Sequence, residues 1–172
     1  DFRECDIRDG EALANAFEGV DYVLHHAAMA SVPWSVERPD LAHEHNVTGT
    51  FNVLCAARDA GVKKVVMAVT SAFYGDTEVL PVHENLPANP MSPYAVTKLM
   101  GEQYLQMFHR VYGLPCVGLR YFNVFGRRQD PTSAYAAAIP IFVKKILDGQ
   151  RPAIYGDGEQ TRDFIFVKDI VA

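Results

Sequence analysis

The stretch Val65-Val66-Met67-Ala68-Val69-Thr70-Ser71, followed by a loop and then Ser92-Pro93-Tyr94-Ala95-Val96-Thr97-Lys98, decides the fold. After two lysines, Lys63 to Thr70 is apolar on both faces, the pattern of a parallel-sheet strand covered by helices on both sides. Thr70 falls at the carboxyl end of that strand, where open α/β sheets place their ligands. Pro93 opens a helix, and in a helix Tyr94 and Lys98 share one face. A free phenol ionises near roughly pH 10, and a neighbouring ammonium favours the phenolate, so the pair is a candidate base for an alcohol proton at neutral pH. The bare pair also fits a packed tyrosine beside a solvated lysine.

Upstream, Asp1 to Ile7 reads as the end of a strand leading into Arg8-Asp9-Gly10 and a short helix of about eight residues, with Asp9 as its N-cap. Val20 to His25 is a β-rich run that breaks into His26-Ala27-Ala28, small residues that let a backbone approach a ligand closely. Ala30-Ser31-Val32 reads as a loop punctuated by Pro33. From Glu44 to Ala60 a helix carries Val47, Phe51, Leu54 and Cys55 at helical spacing, has Asn46 in its first turns and is closed by Gly61.

Downstream, the helix from Pro93 shows an apolar stripe of Val96, Met100, Tyr104, Met107, Phe108 and Val111, read as its inner face, with Tyr94 and Lys98 roughly opposite. Gly101 lies almost under Tyr94, permitting close packing on the side of that pair. Cys116 to Arg120 is the next strand, and its end delivers Tyr121-Phe122-Asn123. Ile139, Phe142, Val143, Ile146 and Leu147 form a further amphipathic stripe closed by Gly149. Ile154 to Glu159 reads as a turn between short strands, and Arg162 to Val167 as the strand that follows.

With 172 residues, 49% of them hydrophobic, the chain has enough material for a real core and does not have the composition of a disordered segment. Its net charge of −5 and scattered basic residues give no nucleic-acid surface. The absence of a long apolar run excludes a spanning helix, and a cytoplasmic location is expected. Cys5, Cys55 and Cys116 read as buried structural thiols. The clusters His25-His26 and His43-Glu44-His45 lack partners at metal-ligand spacing, so no metal is expected.

The hydroxyl-rich strand end, the Tyr-xxx-Lys pair after Ser-Pro and the stretch Leu119-Arg120-Tyr121-Phe122-Asn123-Val124-Phe125-Gly126 come in one order. In that order and spacing the chain resembles the extended short-chain dehydrogenase/reductases of the NAD-dependent epimerase/dehydratase family, the UDP-glucose and UDP-N-acetylglucosamine 4-epimerases in particular. The resemblance implies an α/β fold of Rossmann type, a doubly wound parallel sheet with the start of a small C-terminal substrate-binding part. Residues 1–126 would form a partial NAD-binding domain, and residues 127–172 part of the substrate-binding region with a return to the sheet. It implies catalytic roles for Thr70, Ser71, Tyr94 and Lys98. NAD would be met by Asp6, Ile7, Ala27, Ala28, Asn46, Tyr94, Lys98 and Tyr121. The UDP-sugar would be met by Ser31, Asn123, Ala137, Ala138 and Arg162, with Arg162 on the diphosphate; Arg120 would be structural. Phe122 and the loop from Arg127 to Ala138 most resemble epimerases of UDP-N-acetylhexosamines or their uronic acids, and a homodimer is the implied assembly.

The twelve glycines nowhere form G-x-G-x-x-G or the family's G-x-x-G-x-x-G, so the motif that cradles the pyrophosphate is not in this stretch. The resemblance therefore implies the middle and rear of a protein nearly twice as long, lacking the first β-α-β unit and inactive in this form. Two rival activities share the fold: UDP-glucuronate decarboxylation and nucleotide-sugar dehydration. A nonenzymatic dinucleotide-sensing module is the reading of another class.

Overall fold

The computed structural model describes residues 1–132 and 138–172. Two compact units make up the chain, Asp1–Arg120 and Tyr121–Ala172.

In the first unit, α1 (Gly10–Ala16) is opened by Asp9, whose carboxylate accepts the amides of Glu11 and Ala12. Strand β1 (Tyr22–His25) pairs in parallel with β2 (Lys64–Thr70), Tyr22 opposite Lys64 and His25 opposite Met67. Strand β3 (Cys116–Tyr121) lies on the other side of β2, giving the order β1-β2-β3. Chain direction reverses between neighbouring parallel strands through helices, as it must. Between β1 and β2 run α2 (Val32–Glu37), α3 (Pro39–His43), a π-helical segment Glu44–Gly49 and α4 (Thr50–Asp59). Between β2 and β3 run a 3₁₀ turn, Ser71–Tyr74, and the long α5 (Pro93–Tyr112). This is the Rossmann-like parallel α/β arrangement.

The main core joins α4 and α5 to the sheet through Leu54, Ala57, Val62, Val65, Met67, Leu105, Phe108 and Leu114, all nearly inaccessible. A smaller cluster of Leu13, Val53 and Ala56 seats α1 on α4, with Ile7 and Phe17 at its rim. Burial of side chains the size of Leu54 or Phe108 contributes roughly 1.5–3 kcal/mol each.

Several sequence expectations change. Asp1 to Asp6 forms no strand among the described residues, because it has no ladder partner there. The segment after Ser31 is helical: Ser31 Oγ accepts the Trp34 amide at 3.2 Å, and Pro33 sits in the first turn where its missing N–H costs nothing. The helix around Asn46 is broken into α3, the π-helical segment and α4. The thiols are not buried as expected: Cys5 is exposed, and Cys55 and Cys116 are partly buried, enough for desolvation to push Cys116 up to about 11.

The stripe assigned to the inside of α5 lies largely outside. Val96, Met100 and Val111 are exposed, whereas Ala95, Thr97, Lys98, Gly101, Glu102, Leu105 and Phe108 are buried. Phe108 alone belongs to both sets. Gly101 accordingly serves the sheet contact: a Cβ there would come within 2.7 Å of Met67 Cε and 3.6 Å of Thr50 Cγ2. It brings α5 onto β2 and α4.

After the 3₁₀ turn the chain leaves through Gly75, at φ +60°, where a Cβ would overlap the carbonyl oxygen of Asn89. The Asn89 amide also donates to the Phe73 carbonyl at 2.9 Å. Gly75→Ala is therefore expected to cost roughly 2–4 kcal/mol through backbone strain and displacement of this contact. A urea midpoint unchanged by the substitution would contradict it.

The second unit contains β4 (Asn123–Phe125) paired in parallel with β5 (Phe164–Phe166), α6 (Ala138–Leu147) and α7 (Val167–Val171). Residues 154 and 155 form no strand; they lead into a turn with Gly156 and Gly158 at positive φ. The apolar stripe of α6 is open, with Val143, Ile146 and Leu147 exposed. No described helix is long and apolar enough to cross a membrane.

Candidate active site

Thr70 ends β2 and caps the 3₁₀ turn, its Oγ1 accepting the Ala72 amide at 3.2 Å. With that acceptance made, the Thr70 hydroxyl proton is free to be donated, and the hydroxyl lies near enough to Tyr94 to favour its phenolate. Tyr94 and Lys98 lie on the first turns of α5. Ser92 caps this helix by accepting the Ala95 amide at 3.1 Å, and Pro93 follows at its start. Thr70, Ser71, Tyr94 and Lys98 are thus carried by one strand end, the turn that follows it and one helix start.

Burial dominates the acid–base character of the pair. It pushes the Tyr94 phenol above its ordinary value, with the Thr70 hydrogen bond pulling the other way. It also brings Lys98, which is 3% exposed, down to about 8. The expectation that Lys98 lowers the Tyr94 value is not met by the protein groups alone, because desolvation of the phenol outweighs the help its neighbours give the phenolate. Among the described residues no carboxylate pairs with Lys98. A buried ammonium of this kind suits the hydroxyls of a ribose.

Two supports of Tyr94 and a buried histidine that feels the charge of Lys98 went unread in the sequence. Ser35, fully buried, accepts the Tyr94 amide at 3.0 Å while donating to the Val32 carbonyl at 2.7 Å. Thr97 donates to the Tyr94 carbonyl at 2.8 Å and accepts from Asn46 Nδ2 at 2.9 Å. His25, 5% exposed at the end of β1, makes a 3.0 Å hydrogen bond to Thr50 Oγ1. Its value falls to about 4, through burial first and then the charges of Lys98 and His26, so it is neutral at pH 7. A polar residue in a buried helix face was the available signal for Thr97; nothing in the local sequence marks Ser35.

Asn46 is 1% exposed and fully engaged: besides Thr97 it donates to the Met29 carbonyl at 3.1 Å and accepts the Met29 amide at 2.8 Å. It braces the segment after β1 against α5. Ala27 is exposed in that segment and Ala28 half-buried. Asp6 is held by Arg8 through three nitrogens, the shortest contact 2.7 Å, and this puts its carboxyl at about 2. Arg8 also reaches Glu44 at 3.2 Å, and these residues with Asp9 and Thr48 line an open cleft of about 480 Å³. Ile7 packs its side chain toward Gly49.

In the second unit, the Asn123 amide and its Nδ2 both donate to the Asp163 carbonyl, at 3.2 and 3.1 Å. Arg162 is exposed and donates to its neighbour Thr161. Tyr121 closes β3, and Ala138 opens α6. Ala137 lies outside the described residues.

The parallel sheet, with Thr70 at its carboxyl edge and Tyr94 and Lys98 on the helix that follows, defines a Rossmann-like protein. Residues 1–172 match the model of the NAD dependent epimerase/dehydratase family, and the chain belongs to that family. It is 44% identical to a putative UDP-glucose 4-epimerase of Methanocaldococcus jannaschii, over 99% of this chain and 56% of that protein. A UDP-N-acetylglucosamine 4-epimerase from Methanobrevibacter ruminantium, solved with UDP-N-acetylmuramic acid, is 46% identical and superposes with a TM-score of 0.92, covering 98% of this chain and 54% of that one. The Thermotoga maritima UDP-glucose 4-epimerase solved with UDP-glucose is 39% identical with a TM-score of 0.94, over 99% and 56%. The chain spans about half the length of these relatives.

Proposed function

We propose that this chain carries the acid–base half of an NAD-dependent C4 epimerase of a UDP-sugar. The observation that carries the reading is the placement of Thr70, Ser71 and Ala72 at the end of β2 with Tyr94 and the buried Lys98, which no described carboxylate pairs with, one turn apart on α5. Tyr94 takes the proton of the sugar C4 hydroxyl, and Thr70, with Ser71 adjoining, steadies that oxygen. Lys98 holds the ribose hydroxyls; Asp6, Ile7, Ala27, Ala28 and Tyr121 are assigned to the dinucleotide, and Asn46 braces the segment after β1. Bound NAD would supply the hydride acceptor and donor at C4, and its cationic ring would favour the Tyr94 phenolate. The resulting 4-keto sugar turns, and Tyr94 returns the proton on the inverted alcohol.

Ser31, Asn123, Ala137, Ala138 and Arg162 are assigned to the UDP-sugar, the Arg162 guanidinium suiting a diphosphate. The favoured substrates are UDP-N-acetylhexosamines or their uronic acids, with UDP-glucose and UDP-galactose next. Elimination needs an acid and a base beside the first hydroxyl, and the methyl group of Ala72 cannot transfer a proton. In an epimerase-length protein containing this chain, UDP-GlcNAc, its uronic acid and UDP-glucuronate followed by NMR should give a C4-inverted sugar with C6 retained. A 4-keto-6-deoxy product or carbon dioxide release would overturn the reading.

The 172 residues alone should bind NAD at least tenfold more weakly than the epimerase-length protein, since the glycine-rich cradle is not in this sequence. Calorimetry giving equal affinities would contradict that. A homodimer through α4 and α5 belongs to the same reading. Val47, Phe51, Val96, Met100, Tyr104 and Met107 help line an open groove of about 740 Å³ there, and scattering should show a mass twice the monomer's that Met100→Glu halves. A cytoplasmic setting is also proposed, in keeping with three free cysteines.

A further inference from the structure

Arg120 is bound more completely than a surface-strand arginine needs to be. Its Nη2 and Nε meet the Glu102 carboxylate at 2.6 and 3.0 Å, and Nη1 donates to Tyr74 Oη at 3.0 Å and to the Glu84 carbonyl at 3.2 Å. The guanidinium lies 3.6 Å from the centroid of the Phe73 ring. Both charged side chains of the pair are largely buried, at 17% and 12% exposure. The contacts join two parts of the candidate site. Glu102 stands one helical turn beyond Lys98 on α5; Phe73 and Tyr74 belong to the 3₁₀ turn that Thr70 caps and Ser71 opens.

From these contacts we infer that the Arg120–Glu102 pair is a positioning clamp that holds the Thr70–Ser71 hydroxyls at working distance from Tyr94. The inference rests on the proposed role of Tyr94 as base. Thr70 Oγ1 accepts the Ala72 amide at 3.2 Å, and Ala72 lies inside the clamped turn, so the turn sets the position of the Thr70 hydroxyl. A planar fork that binds a carboxylate with two nitrogens, stacks on a ring and still donates to a phenol oxygen is specific to arginine. Lysine keeps the charge and cannot make all three contacts. Buried ion pairs often add little net stability but fix one arrangement among several, which is the role assigned here.

The test uses Arg120→Met with Glu102→Leu, which removes both charges together and avoids leaving one buried alone. In the 172-residue chain, tyrosine ring-carbon NMR, with Tyr94 assigned through Tyr94→Phe, follows the phenol titration. Lys98 follows Tyr94 by one turn and Glu102 by two on α5, and His25 at the end of β1 feels the charge of Lys98. Displacement of the Thr70 hydroxyl, which favours the phenolate, should raise the Tyr94 midpoint measurably. In the epimerase-length protein the double variant should lower kcat by about 10- to 100-fold with KM little changed, and Arg120→Lys should recover only part of it. A folded double variant with the wild-type Tyr94 titration and kcat overturns the clamp. Should the double variant not fold, Tyr74→Phe removes one contact of the clamp, and an unmoved Tyr94 midpoint there overturns it equally. Absence of turnover in the wild-type protein would instead defeat the epimerase reading, while the titration still decides the clamp.

Discussion

Tyr94→Phe is expected to lower kcat by about 10²–10⁴-fold in an epimerase-length protein, while the affinity for the UDP-sugar stays within about a factor of three. The phenylalanine keeps the ring and loses only the phenol oxygen. The backbone of residue 94 is fixed independently, by Ser35 at its amide and Thr97 at its carbonyl, so the helix start should hold its position. Steady-state kinetics with a calorimetric affinity would check both halves. Turnover within a factor of ten of wild type would remove Tyr94 from the chemistry.

Lys98→Met should do two opposite things. At pH 7, without added nucleotide, it should stabilise the fold by on the order of 3 kcal/mol, because burial lowers the lysine from 10.5 to about 8 and each unit is worth about 1.36 kcal/mol. The sign follows from proton binding. A lysine whose folded-state value lies below its unfolded value costs stability wherever both states are charged, here below about pH 8. That cost is relieved as the pH rises from about 8 to 10.5, so the advantage of the variant should shrink across that window. Removing the neighbouring charge should also let His25 titrate above its value of about 4. Turnover should nevertheless fall steeply, since methionine cannot hold ribose hydroxyls. Urea unfolding at pH 7 and pH 10 checks the first part; a variant less stable than wild type at pH 7 would contradict it. This is the trade between stability and activity expected of a buried functional charge.

How much was legible in the sequence is clearest at α5. Ser92-Pro93 and Gly113 mark its start and its end, and the structure has a helix from Pro93 to Tyr112 with Gly113 in the left-handed conformation. Its orientation was not legible. Hydrophobicity points to Val96, Met100 and Met107 as the inner face, but the buried face carries Thr97, Lys98 and Glu102, polar groups satisfied or made functional by partners distant in sequence. Pattern alone cannot see Asn46 or Arg120 coming to meet them. Strand β2 was readable because both its faces are covered, and Thr70 because a run of apolar residues stops there. The extended segment before Ile7 and the strand expected near Ile154 depended on ladder partners, which local sequence does not supply. Helix α2 was hidden because Pro33 reads as punctuation, although in a first turn proline is compatible with a helix. The supports of Tyr94 come from residues 59 positions upstream, in Ser35, and 51 positions before Thr97, in Asn46. Such contacts are products of the fold.

The central claim is that one C4 centre is oxidised and reduced again within a single site whose proton is handled by Tyr94. The most direct measurement uses a UDP-sugar carrying deuterium on C4, incubated with an epimerase-length protein containing this chain in ordinary water. The C4-inverted product should keep the deuterium at C4. Inverted product with hydrogen from solvent at C4 would contradict it.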